Sequence, residues 1–424
     1  MFLLYNFLLT LFSPVWVPWM LWRSAKRKEK PNWAERQGNL PIERNKHARR
    51  VWVHAVSVGE VVAALPILKE LRALLPEHEI VLSVTTSSGH STAREQAMPM
   101  VDHLVYFPLD VPRFQLAAMS RVRPEVVAVM ETELWFNFLW AAKAVGARTL
   151  LVNGRVSDRS FPRSMKVRPF YRSLLGFVDR CLMQTPTDVV RILALGAREA
   201  ECFGNAKFDQ ALEGLEADAS AWRAKLGLRE GLPVVVIGST RGEEEEAFVL
   251  DALVRLGPER VSVVHAPRHL ERVPMLAEAV RERLGAPGLR SKGEGGAYVI
   301  LDTYGELSDV YAVADIVVIG GGFSNHGGQN ILQPLAHGKP VLHGPHMQNF
   351  ADVAASAAAA GATRVCTCPH ELATALRELI DTPSCRAKMG KAAAAFIAAS
   401  AGASQRYAEA IAEATEQPAP SPQS

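Results

Sequence analysis

GGGFSNHGGQNILQPLAHGKPVLHGP, residues 320–345, follows the apolar run Asp315-Ile-Val-Val-Ile319. A β-rich run that ends in glycines is the mark of a strand in a parallel α/β sheet, where ligands collect beyond the carboxyl ends of strands. The second glycine pair, Gly327-Gly328, is expected to open a helix. Glycine lets backbone approach a ligand closely, and a first helical turn offers N–H groups and a positive dipole end to an anion. The stretch therefore reads as a phosphate seat. Its spacing is neither G-x-G-x-x-G nor G-x-x-x-x-G-K-[ST], so it implies neither dinucleotide binding nor ATP hydrolysis. Glycines that merely let an αβ unit pack would give the same pattern. Asn330 and Gln333 favour a ligand, because from the next turn they would aim amides at a sugar or base.

Working outward, strand-like runs alternate with helical periodicity on both sides of this stretch. In the first half they are Val51–Val56, Ile80–Thr85, His103–Phe107, Val126–Met130, Thr149–Asn153 and Arg180–Gln184. Helices are expected between them, at Glu60–Leu74 and Leu134–Ala144 among others. After a charged, less patterned stretch the rhythm restarts with Pro233–Gly238, Val261–His265, Tyr298–Leu301, Ile316–Ile319 and Pro340–His343. A chain of 424 residues exceeds one comfortable core. The expectation is thus α/β, two doubly wound Rossmann-like domains facing each other across a cleft. The N-terminal domain is expected over 51–208, a linker region over 209–231 and the C-terminal domain over 232–415, with a disordered tail at 416–424.

Residues 1–22 carry no charge and are rich in Leu, Phe and Trp. At 1.5 Å per residue they are long enough to span a hydrocarbon core of about 30 Å, yet Pro14 and Pro18 kink a helix and Trp16, Trp19 and Trp22 suit the interface. Both placements stay open. The charges come after the apolar run, the reverse of a cleaved signal peptide. Residues 23–50 hold ten Lys/Arg against three Asp/Glu, so that with a net charge of +3 the rest of the chain stands at −4. By the positive-inside rule Arg23, Lys26, Arg27, Lys28 and Lys30 keep everything downstream on the cytoplasmic side of the inner membrane, and the same cations would meet an anionic membrane surface. Basicity confined to one segment, without a recognised motif, argues against nucleic acid. The five cysteines show neither C-x-x-C nor a paired histidine spacing, which suits a reducing compartment and gives no metal site.

Polar residues sit after nearly every apolar run: Glu60 after Val51–Val56, Glu131 and Glu133 after Val126–Met130, Ser87-Ser88-Gly89-His90 after Thr86, and Lys207 after Gly204-Asn205-Ala206. In the second half Arg268-His269 and Tyr304-Gly305-Glu306 take such places. Taken singly, Glu60 is equally a helix-end charge and Arg268 equally half of a surface ion pair.

The segments VWVHAVSVGEV, SVTTSSGHSTA, METELWFN, NGRVSDRS, GNAKFD, APRHLERV, DTYGELSDVYAVAD and the glycine-rich stretch, in this order, resemble the 3-deoxy-D-manno-octulosonic acid (Kdo) transferase family. The resemblance runs from about Trp16 to Phe350. It implies a membrane-associated GT-B glycosyltransferase that moves Kdo from CMP-Kdo to a lipid A precursor. It further implies that Glu60 is the general base, that Glu131 and Lys207 support the transition state, and that CMP touches Arg268, His269, Tyr304, Gly305, Glu306, Asn330, Ile331, Leu332 and Gln333, with Gly327 and Gly328 at its phosphate. No metal is called for, since a monophosphate leaves with less charge than a diphosphate and the protein supplies the cations. The family pattern G-G-H-N-x-L-E-P reads here Gly327-Gly328-Gln329-Asn330-Ile331-Leu332-Gln333-Pro334. Gln333 keeps one acceptor oxygen but no charge, so weaker nucleotide binding is expected. Two other readings stay open: a GT-B transferase or epimerase with another donor, and a tethered CMP-binding protein without catalysis.

Overall fold

A computed structural model describes residues 1–26, 32–45, 47–212 and 215–416. The chain forms two compact units, residues 1–210 together with 401–424, and residues 211–400. In the first, seven parallel strands run β1 (Arg50–Ala55), β2 (Glu79–Val84), β3 (His103–Tyr106), β4 (Val126–Met130), β5 (Arg148–Gly154), β6 (Arg180–Met183) and β7 (Ala200–Cys202). Their order across the sheet is β3-β2-β1-β4-β5-β6-β7. The alternation of a strand sorts its residues between two cores. Val51, Val53 and Ala55 face the layer that holds the helix Val58–Leu74, whereas Trp52 faces Phe136, Phe138 and Leu139.

The second unit repeats the winding with β8 (Val234–Thr240), β9 (Ser262–Pro267), β10 (Gly288–Leu289), β11 (Tyr298–Ile300), β12 (Ile316–Ile319), β13 (Val341–His343) and β14 (Thr363–Val365). Their order is β10-β11-β9-β8-β12-β13-β14, again all parallel. Each unit thus has one place where the winding reverses, between β1 and β4 and between β8 and β12, and a crevice opens there at the carboxyl ends of the strands.

Three sequence expectations change. The rhythm carries the second domain to 415, but the last helix, Ala403–Glu416, belongs to the first unit, where Tyr407, Ala408 and Ile411 share a core with Val61, Leu65 and Leu68. Apolar periodicity states that a helix has a buried face and is silent on which core takes it. Gly327 and Gly328 do not open a helix. Both take left-handed backbone, φ +86° and +78°, and the helix starts at Leu332 and runs only to Ala336. Residues 1–22 form two helices, Phe2–Leu11 and part of Ser13–Lys26, bent by 64° at their junction, and no single helix among the described residues is long and apolar enough to cross a membrane. The first of these helices docks on the first unit: Tyr5 donates to Asp110 at 2.8 Å and Asn6 to Asn137 at 2.9 Å, with Phe2 against Phe136 and Trp140. Its other face is open to solvent, Leu3 to 81% and Phe7 to 62%. Of the basic cluster, residues 27, 28 and 30 lie outside the described residues, as does most of the tail expected at 416–424.

Candidate functional site

The first crevice collects carboxylates. After β1 the chain turns through Ser57 into the helix Val58–Leu74, and Glu60 stands in its first turn. One carboxylate oxygen of Glu60 accepts from the Val56 N–H at 2.7 Å and the other from the Ser57 hydroxyl at 3.2 Å. The residue is therefore a helix-end charge in geometry, as its position allowed, but it is 8% exposed, and that changes its chemistry. Burial, opposed by the bond from Val56 and reinforced by the charges of Glu133 and Glu131, pushes its acid up to about 7. A carboxyl that titrates near neutrality is suited to take a proton and later release it.

Glu131 follows β4, the neighbour of β1 in the sheet, and takes left-handed backbone with φ +51°. Its N–H donates to Val152 O at 2.9 Å, and its carboxylate accepts from Lys207 Nζ at 2.9 Å. An ammonium is thus held on one of these acids at the reversal of the winding. Glu133, flagged in the sequence only as the partner of Glu131, belongs with them. It accepts from the Trp135 indole at 3.1 Å, and burial together with the Glu131 charge raises its carboxyl above the usual range. The small-residue turn before His90 is the start of the helix Ser87–Gln96, where Thr86 accepts from the Gly89 N–H at 3.1 Å. Lys207 stands at the start of Lys207–Ala211, a turn that Asn153 fixes by accepting the Ala206 N–H at 3.2 Å.

The second crevice collects backbone. The loop after β12 folds on the loop after β13 so tightly that a Cβ on Gly344 would stand 2.0 Å from Gly322 O. A residue that sequence reading missed organises it. Glu245, fully buried, accepts N–H bonds from Arg241 and Gly321 on one oxygen, both at 2.7 Å, and from Phe323 at 2.9 Å and Ser324 at 3.1 Å on the other. Its signal was present in the four glutamates that open the helix Glu243–Leu256, a run that ordinarily marks a solvated face. Glu246 is also buried, paired through both oxygens with Arg272 at 2.8 and 2.7 Å. The Gly328 N–H is taken by Gly321 O at 2.7 Å. Several of the N–H groups expected to await an anion are thus already engaged in shaping the turn.

The remaining expected contacts line the same strand ends. Arg268 follows β9, its N–H on Thr240 O at 3.0 Å and its side chain exposed; His269 is half-buried, 3.6 Å from Glu271. Tyr304 is 75% exposed, and Gly305 takes φ +83°. Burial opposes ionisation of Glu306, but the Thr303 hydroxyl, Lys225 and Arg290 outweigh it and hold its carboxyl below the usual range. That carboxylate is engaged inside the unit, which leaves the backbone of 304–306 as the surface it offers. Asn330 accepts the Leu332 N–H at 2.9 Å, Ile331 and Leu332 are buried, and Gln333 lies half-buried in the first turn of the short helix. Among the described residues no group of His, Cys, Asp and Glu is arranged to hold a metal ion.

Comparison with known proteins fits this geometry. A family profile described as 3-deoxy-D-manno-octulosonic-acid transferase matches residues 31–210. A 3-deoxy-D-manno-octulosonic acid transferase of Bordetella pertussis is 35% identical over 380 residues, 86% of this chain and 87% of that protein. One from Chlamydophila psittaci is 30% identical over 352 residues, 82% of this chain and 81% of the other. Among solved structures, the UDP-GlcNAc 2-epimerase of Neisseria meningitidis superposes with a TM-score of 0.60 at 13% identity, covering 86% of this chain and 99% of that one. A glycosyltransferase from Rickettsia africae gives 0.57 at 10%, over 88% and 99%. At such identities these two show the fold alone.

Proposed function

The chain belongs to the 3-deoxy-D-manno-octulosonic acid transferase family of GT-B glycosyltransferases, and on that premise we propose that it transfers Kdo from CMP-Kdo to a lipid A precursor in lipopolysaccharide synthesis. In this reading Glu60 removes the proton of an acceptor hydroxyl as that oxygen attacks the anomeric carbon of the activated sugar. The new glycosidic bond forms as the bond to the CMP phosphate breaks, in one inverting displacement. Glu131 and Lys207 face the charge that develops on the sugar. The departing phosphate is met by Arg268, whose planar fork matches two oxygens, and by the glycine-rich loop. His269, the backbone of Tyr304, Gly305 and Glu306, and the segment from Asn330 to Gln333 grip the nucleoside.

The observation that carries the reading is Glu60, a buried carboxyl near neutrality at the winding reversal of the first sheet, with a lysine–glutamate pair on the adjacent strand end. The nucleotide side rests on loops at the matching reversal of the second sheet. The exposed apolar face of the helix docked through Tyr5 and Asn6 supports an interfacial seat on the inner membrane, with the catalytic units in the cytoplasm beside an anionic lipid surface. Mass analysis of the lipid formed from CMP-Kdo and a lipid A precursor tests the proposal. Addition of one or more Kdo masses is the expected result. An unmodified acceptor, with another nucleotide sugar consumed in its place, would overturn the donor assignment.

A further inference from the structure

The helix Ala403–Glu416 enters the first unit only after the chain has traversed the second, and its polar contacts converge on one turn. The Tyr407 hydroxyl donates to Gly204 O at 2.7 Å. Arg406 donates to Phe203 O through Nε at 3.1 Å and a terminal nitrogen at 2.7 Å. From the other side Asp209 accepts the Gly402 N–H at 2.5 Å and the Ser404 N–H at 2.6 Å. Residues 203–209 are the segment that carries Lys207. The turn is thus tied at three points to a helix more than 190 residues away in sequence.

Asn153 is the last but one residue of β5, the strand beside β4, and the Glu131 N–H bonds to Val152 O one residue earlier. The Tyr407 hydroxyl, by holding Gly204 O, therefore fixes the Lys207 turn beside the strand end from which Glu131 is hung. Asn153 reinforces it by accepting the Ala206 N–H. Tyr407 is fully buried and its ring lies 5.4 Å from that of Phe203, so its hydroxyl does not wander. The same helix also packs on the helix whose first turn holds Glu60. Tyr407 touches none of the proposed reacting groups.

We propose that Tyr407 is a positioning residue: through its bond to Gly204 O the C-terminal helix holds Lys207 Nζ on Glu131. The inference rests on the role given above to Lys207. Its test uses the full chain in detergent, with Tyr407→Phe, Lys207→Met and the double variant. Tyr407→Phe keeps the ring and removes the bond to Gly204 O. It should lower kcat about tenfold with donor KM within about twofold of wild type, since small misplacements of a positioned group cost up to roughly 10²-fold. In the Lys207→Met background the same change should cost less than about twofold, because a residue that acts through Lys207 falls silent when Lys207 is gone. Acetic anhydride labelling of Lys207, read by peptide mass analysis, supplies a measure independent of turnover and should accelerate in Tyr407→Phe. Asp209→Asn, which loosens the turn from its other side, should act in the same direction and less strongly, and stands in if Tyr407→Phe folds poorly. Unchanged labelling, or an equal loss of kcat with and without Lys207, overturns the positioning role. Full activity of Lys207→Met instead overturns the role of the lysine in transfer, and the labelling rate then decides the positioning claim alone.

Discussion

Glu60 and Glu245 hold the same place in two copies of one winding. Each follows the first strand of its sheet, stands third in the ensuing helix and accepts the N–H of the residue four positions earlier, Val56 in one unit and Arg241 in the other. There the likeness ends. Beyond that shared bond, among the described residues, Glu60 accepts only from the Ser57 hydroxyl, and burial, reinforced by the charges of Glu133 and Glu131, raises its proton affinity. Glu245 accepts three further N–H groups from the loop after β12. A buried carboxylate surrounded by donors organises backbone, and one short of donors and near other acids holds its proton more tightly, as the base of the proposed reaction must. The fold supplies the position in both units; the neighbours decide whether it does chemistry or architecture.

The largest effect that separates the two is expected from Glu60→Gln. Turnover should fall by about 10²–10⁴-fold, the range for a lost acid–base group, with CMP affinity unchanged in equilibrium binding. Near-normal turnover would return Glu60 to a plain helix cap. The reciprocal change is Glu245→Gln. Its amide turns an NH2 toward donors that need an acceptor, so denaturant titration should show a loss of about 3 kcal/mol in the second unit and CMP binding should weaken. The acidic limb of the pH–rate profile should stay where it was. Glu133→Gln sharpens the electrostatic half of the contrast. Removing a like charge lets Glu60 ionise more easily, so that limb should move to lower pH, by about half a unit. The smallest effect is expected from Gln333→Glu. A restored carboxylate should tighten nucleotide binding about threefold by calorimetry, with kcat unaltered.

The contrast also marks what the sequence makes legible. Central strands buried on both faces read as continuous Val/Ile/Leu runs, and β1 to β6, β8, β9 and β11 to β13 stand within about two residues of their expected places. Three of the four edge strands, β7, β10 and β14, have two or three residues each, too few to impose a pattern. Polar residues after strands point to both crevices, because parallel winding brings every carboxyl end to one edge. What stays hidden is partnership. Glu245 stands in a run of four acids, a pattern common on solvated faces, and three of its four donors lie about eighty residues downstream. The glycine pair looked like a helix start, because sequence does not reveal that Gly328 passes its N–H to Gly321 and that Asn349 donates its own to Gly327 O. For the same reason the last helix gave no sign that it returns to the first unit.

The pH dependence of kcat/KM, measured on wild type and Glu60→Gln across the neutral range, tests the central claim most directly. Glu60 accepts a proton only when ionised, so wild-type activity should decline with unit slope as pH falls below about 7. In the variant that limb should vanish, leaving a low and nearly flat residual rate. An identical limb in both proteins would show that another group titrates there, and would remove Glu60 from the chemistry.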